Sequence, residues 1–74
     1  MIILTQNKNL IIFNNAEIYK NFGDEKAVKI EISTEDGYAN LGEYDTEERA
    51  NEIICDIYAK LADKKENYRM PKEW

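Results

Sequence analysis

The sequence has no histidine, one cysteine, one proline and three glycines in 74 residues. Each scarcity excludes a class of chemistry. Without histidine, the side chain that titrates nearest neutrality is missing, and with it the usual general base and the usual activator of a nucleophile. A single thiol, Cys55, allows neither an internal disulfide nor a cysteine–histidine zinc quartet. Positive charge is also short: ten basic residues face fifteen acidic ones, for a net charge of −5. That balance argues against a nucleic-acid backbone or an anionic membrane surface as the main partner, since both are bound by neutralising phosphates with Lys and Arg. No apolar run approaches the length of a membrane span. The start, MIILTQNK, lacks the basic n-region and long apolar stretch of a secretory signal. The expectation is a cytoplasmic protein with no membrane partner.

What is present is a folding chain of ordinary composition, 43% hydrophobic and 34% charged. Its length makes a single domain, 1–74. A chain this short buries only about 60% of its unfolded surface, a size at which self-association is a common source of stability.

Residues 45–65, DTEERANEIICDIYAKLADKK, organise the rest. Ala50, Ile53, Ile54, Ile57, Tyr58 and Leu61 recur at helical spacing, one stripe of an amphipathic helix expected over 46–65. Asp45 followed by Glu48 suggests a capping box, Asp56 and Lys60 form an i,i+4 pair, and Asn67 offers a left-handed stop ahead of Pro71. Through Ile53, Ile57 and Leu61 the stripe is expected to dock on the protein's own sheet, with Tyr58 in the core; a partner-binding helix is the alternative.

Upstream, everything reads as strands. Ile2–Thr5, IILT, and Leu10–Asn14, LIIFN, flank a polar QNKN turn, a hairpin with a four-residue loop. A weaker strand spans 16–22. Over 27–34, Val28, Ile30 and Ile32 alternate with Lys29, Glu31 and Ser33, giving one buried and one wet face. An Asp36-Gly37 turn leads to YANLGEY, with Ala39 and Leu41 on one face and Tyr38, Asn40 and Tyr44 on the other. Gly42 inside that strand signals a bulge or a close approach by another backbone. Residues 66–74 read as an irregular tail. The fold class is α+β: an antiparallel meander of four to five strands with one C-terminal helix on one face.

The words MIILTQNKNLII and LGEYDTEERANEII, joined by an acidic strand–turn–strand, resemble short phage and mobile-element proteins of Gram-positive bacteria. The resemblance implies a hairpin, a glycine-containing last strand and a capped helix. It transfers no catalytic residue. As a class-level expectation it implies an accessory protein that acts by binding a host component or a signalling molecule.

No chemistry assembles from the remaining residues. Cys55 sits beside Glu52 and Asp56, where a nucleophile wants cations, and reads as a small, partly buried hydrophobe. The carboxylates Glu31, Glu35, Asp36, Glu43 and Asp45 are too sparse for a divalent-cation loop and read as a solvated rim. No catalytic, metal or cofactor residue is expected, and no enzyme. The hairpin, by contrast, is apolar on both faces, and one helix covers only one. Ile2, Leu4, Ile11 and Phe13, with Tyr68, Met70 and Trp74 from the tail, form the candidate interaction surface. It would bind a second copy in a homodimer or larger homo-oligomer, a host protein, or a small ligand; the competing expectation is that the tail, 68–74, covers the hairpin within one chain. The function expected is a non-enzymatic protein that captures or inhibits a host protein or signalling ligand; the alternative is an acidic nucleic-acid mimic that blocks a DNA-binding protein.

Overall fold

The structure, a computed structural model, describes residues 1–13, 17–22 and 27–72. The protein is α+β. Among the described residues six strands form two three-stranded sheets, with one helix packed against them. Strands β1 (Ile2–Leu4) and β2 (Leu10–Ile12) make the N-terminal hairpin; β3 (Ile18–Asn21), β4 (Val28–Thr34) and β5 (Gly37–Tyr44) make an antiparallel meander; helix α1 (Glu47–Ala62) follows, and then β6 (Asn67–Arg69). The strand orders are β2-β1-β6 and β3-β4-β5.

The tail is therefore not irregular throughout. Residues Asn67–Arg69 run parallel to β1, with Ile2 donating to the Glu66 carbonyl at 2.7 Å and Met70 donating to the Leu4 carbonyl at 2.9 Å. A parallel partner for the first strand, supplied by nearly the last residues, leaves no local pattern in a sequence, because the two segments are far apart in the chain.

The helix forms where the periodicity places it, with ends set by different residues. Thr46, not Asp45, is the N-cap: it is extended at φ −135°, and its hydroxyl accepts from the Arg49 amide at 3.1 Å. This one-residue shift puts Arg49 at the position a capping box reserves for Glu, so Glu47 and Glu48 act only through the helix dipole. At the other end Lys64, at φ 59°, is the left-handed residue in place of Asn67. Lys64 donates to the Leu61 carbonyl and Lys65 to the Lys60 carbonyl, both at 3.0 Å, the paired bonds of a Schellman stop. Ala50, Ile53 and Ile57 are buried, and Ile54 and Leu61 pack at their edges. Tyr58 is 46% exposed and lies outside the core. Cys55 too is exposed rather than partly buried.

The core joins both sheets and the helix. Ile3 and Phe13 come from the hairpin, Ile18, Val28, Ile30, Ile32, Leu41 and Tyr44 from the meander, and Tyr68 and Met70 from the last strand and the residue after it. Tyr44 belongs here and not on the wet face. The reason is a β-bulge: Ile30 pairs with Gly42 and Glu31 with Asn40, leaving Leu41 as the extra residue. Beyond the bulge the alternation is shifted, and Tyr44 stands opposite Val28 on the core side.

Gly42 also meets the close approach its position signals, though a side chain makes it. The Gln6 amide lies over Gly42 and bonds along the β5 backbone: Nε2 donates to the Glu43 carbonyl at 3.1 Å, and Oε1 accepts from the Glu43 amide at 2.7 Å. The backbone amide of Gln6 donates to the Leu41 carbonyl at 3.0 Å, and Nε2 donates again to the Pro71 carbonyl at 2.9 Å. One buried glutamine thus joins the hairpin loop, the edge of the meander and the chain after β6.

Candidate functional site

The hairpin register decides which apolar residues meet. Thr5 donates to the Asn9 carbonyl at 2.8 Å, Lys8 donates to the Thr5 carbonyl at 3.0 Å, and the Thr5 hydroxyl accepts from the Asn9 amide. The loop between that closing pair is Gln6-Asn7-Lys8, with Lys8 left-handed at φ 67°. It is a three-residue loop, one shorter than the sequence suggests. Cα partners are Ile2 with Ile12, Ile3 with Ile11 and Leu4 with Leu10. A four-residue loop would have paired Ile2 with Phe13 and Leu4 with Ile11, the grouping expected above. Shortening it by one residue turns all of β2 over.

The outer face is consequently Ile2, Leu4, Leu10 and Ile12. Ile2 is 41% exposed, Leu10 71% and Ile12 78%, with Leu4 half-buried. Ile11 is half-buried and packs on the core, and Phe13 is 3% exposed within it. Tyr68 and Met70 are buried as well. Of the candidate surface residues only Ile2 and Leu4 stand together on the outer face; Trp74 lies outside the described residues. Leu10 and Ile12 were missed. The missing signal is loop length, since Lys8 occupies a conformation usually marked by Gly or Asn.

The edge of β2 coincides with this face. Phe13 donates to the Met1 carbonyl at 2.8 Å and Thr5 to the Asn9 carbonyl, so the hydrogen-bonded positions of the hairpin are odd-numbered. The N–H and C=O groups of Leu10 and Ile12 point the other way, off the edge of the sheet. The two most exposed large aliphatic side chains among the described residues thus belong to residues whose backbone groups face away from β1.

Two polar clusters lie apart from this face. Glu31, expected on the solvated rim, is instead 4% exposed, and its carboxylate accepts from Asn21 Nδ2 at 3.3 Å. Desolvation, reinforced by Glu31, raises the pKa of Tyr19. Glu43 lies 3.9 Å from Lys29, while Glu35, Asp36 and Asp45 are exposed. Between helix and β6, Asp56 accepts from the Tyr68 hydroxyl at 2.8 Å and from Lys60 at 3.1 Å. The Tyr68 bond first, and Lys60 second, hold the Asp56 carboxyl below its ordinary range; burial and Asp56 push Tyr68 well above its own. Both clusters pair donor with acceptor and read as structural joints. Among the described residues no group of three or more His, Cys, Asp or Glu is placed to hold a metal ion, and no buried side-chain nitrogen or oxygen lacks a partner. No described helix is long and apolar enough to cross a membrane.

Comparison with protein-family models, with curated proteins and with solved structures gave no match.

Proposed function

We propose that this chain is a small, non-enzymatic binding protein that works by strand addition along β2, and that its first partner is a second copy of itself. One observation carries the reading: Leu10 and Ile12 present edge backbone that is unpaired among the described residues, and exposed aliphatic side chains, at the same two positions. An antiparallel pairing of β2 with its copy, about a two-fold axis at Ile11, sets Leu10 of each chain opposite Ile12 of the other. Their outward N–H and C=O groups are then exchanged in register. The sheets become one, and Leu10 and Ile12 gain cross-strand apolar neighbours in place of water. The same edge would accept a strand from a host protein. That makes capture or inhibition of such a protein the proposed role, and the phage or mobile-element resemblance gives it a setting.

Light scattering over a range of concentrations tests the reading. The expected result is a doubled mass that returns to the monomer value in Ile12→Lys, with the circular dichroism spectrum unchanged. A wild-type mass that stays monomeric to millimolar concentration, or a dimer indifferent to both Ile12→Lys and Leu10→Pro, overturns it.

A further inference from the structure

At the end of the hairpin, where the β1–β2 loop meets the chain after β6, lies a groove of about 580 Å³. Its floor is apolar, from Leu4, Met70 and Pro71, and its rim carries Lys8, Arg69 and Lys72. Three of the protein's ten basic residues thus converge on one groove, although acidic residues outnumber basic ones. Among the described residues none of these three forms an ion pair, whereas Lys20, Lys29, Arg49 and Lys60 each do. Of the neighbouring neutral groups, Gln6 Nε2 is committed to two carbonyls, while the Thr5 hydroxyl accepts from Asn9 and keeps its own O–H. What the groove offers a ligand is cationic donors, with that one hydroxyl, over an aliphatic floor. A second hollow of about 420 Å³ continues from it, sharing Leu4 and Arg69 and adding Ile2 and Leu10.

From this arrangement we infer that the groove binds a small amphipathic anion, a carboxylate or phosphate monoester carried on an aliphatic stem. The head is held by Arg69, whose planar fork suits two oxygens at once, with Lys8 and Lys72 adding charge from either side. The stem lies on Leu4 and Met70 and extends toward Ile2 and Leu10. The size suits such a ligand, since small-molecule pockets fall at about 300–1,000 Å³ and pair apolar walls with a few placed polar groups. This site goes beyond strand addition and depends on different residues for its head group.

The test is titration calorimetry with octanoate and octyl phosphate, with octanol and inorganic phosphate as controls, read per chain so that self-association does not enter. Amide shifts in a nitrogen-15 spectrum locate the site. Both amphipathic anions are expected to bind one per chain and to move Lys8, Arg69 and Met70. Octanol and inorganic phosphate each bind much more weakly. Arg69→Gln, on an exposed strand position, weakens binding about tenfold, the loss expected for one charge-assisted contact. Lys72→Gln gives a smaller loss, and added salt weakens both anions. Octanol binding as well as octanoate would remove the cations from the argument, and inorganic phosphate binding as well as octyl phosphate would remove the floor. Unchanged affinity in both Arg69→Gln and Lys72→Gln, or no binding at millimolar probe, overturns the proposal.

Discussion

Replacing Gly42 with alanine tests the joint on which the two sheets depend. The new Cβ would stand 2.9 Å from Gln6 Cδ and 3.0 Å from both Cγ and Oε1. Ordinary carbon contacts lie at about 3.5–4.0 Å, so the side chain must move. It is a long side chain and would yield easily if free, but its amide makes three hydrogen bonds, to the Glu43 amide, the Glu43 carbonyl and the Pro71 carbonyl. At about 1 kcal/mol each, full displacement costs about 3 kcal/mol. Alanine returns about 0.5–1 kcal/mol by restricting the unfolded chain, leaving a net loss of about 2 kcal/mol. Gln6→Ala removes the same bonds and is expected to cost a similar amount. In the double variant the added methyl meets vacated space, so Gly42→Ala keeps only its gain of about 0.5–1 kcal/mol there and the coupling is about 3 kcal/mol. Urea denaturation followed by circular dichroism measures all four corners; in a domain this small the single variants should melt about 8–16 °C lower. Equal losses from Gly42→Ala in both backgrounds would mean that Gln6 does not hold this edge, and the account of the joint would fail.

Ile57 is fully buried on the core face of α1, so Ile57→Asp should cost several kcal/mol of stability, while Tyr58→Asp next to it changes stability by less than about 0.5 kcal/mol; equal thermal midpoints would mean the stripe faces no core. Thr46→Ala removes the N-cap acceptor and should cost about 1 kcal/mol, whereas Asp45→Ala, which does not cap, should cost less in the same melt. Stability should also depend on the Tyr68–Asp56 pair. The folded Asp56 carboxyl titrates below its ordinary 3.8, so its contribution is present above that value and is lost as pH falls through the lowered one. Tyr68 titrates above its ordinary 10.0, so its contribution is present below that value and fades as pH rises beyond it. Tyr68→Phe should flatten both limbs of the stability–pH curve, with the acid effect kept small by the exposure of Asp56; an unchanged curve would show that the bond contributes nothing.

How the parts became legible follows from the range of the forces that set them. The helix was readable from Ala50, Ile53 and Ile57 because its pattern repeats within a few residues and each turn repeats the same instruction. The alternation of Val28, Ile30 and Ile32 was readable for the same reason, and so was the presence of something unusual at Gly42. Features settled by single residues in competition were less so. Thr46 and Asp45 are both good caps, and which one bonds the first turn depends on where the chain leaves β5. Lys8 and Lys64 occupy left-handed positions that neighbouring asparagines would fill at less strain, so the turn signals of the sequence were displaced by a few residues.

Short-range pattern in the chain sets the α+β class, one amphipathic helix, the strand segments of the meander and hairpin, and the apolar character of that hairpin on both faces. Which of those faces is open is set by tertiary contacts. A loop of three residues instead of four puts Leu10 and Ile12 outside and Ile11 and Phe13 inside, and β6 takes the far side of β1 with Tyr68 turned into the core. Strand periodicity fixes which side chains share a face within one strand. Which face meets the neighbouring strand's apolar set is fixed by register, and register is a property of the turn and of distant partners. The convergence of Lys8 with Arg69 and Lys72 is of the same kind, brought about by hydrogen bonds that tie the first loop to the last strand.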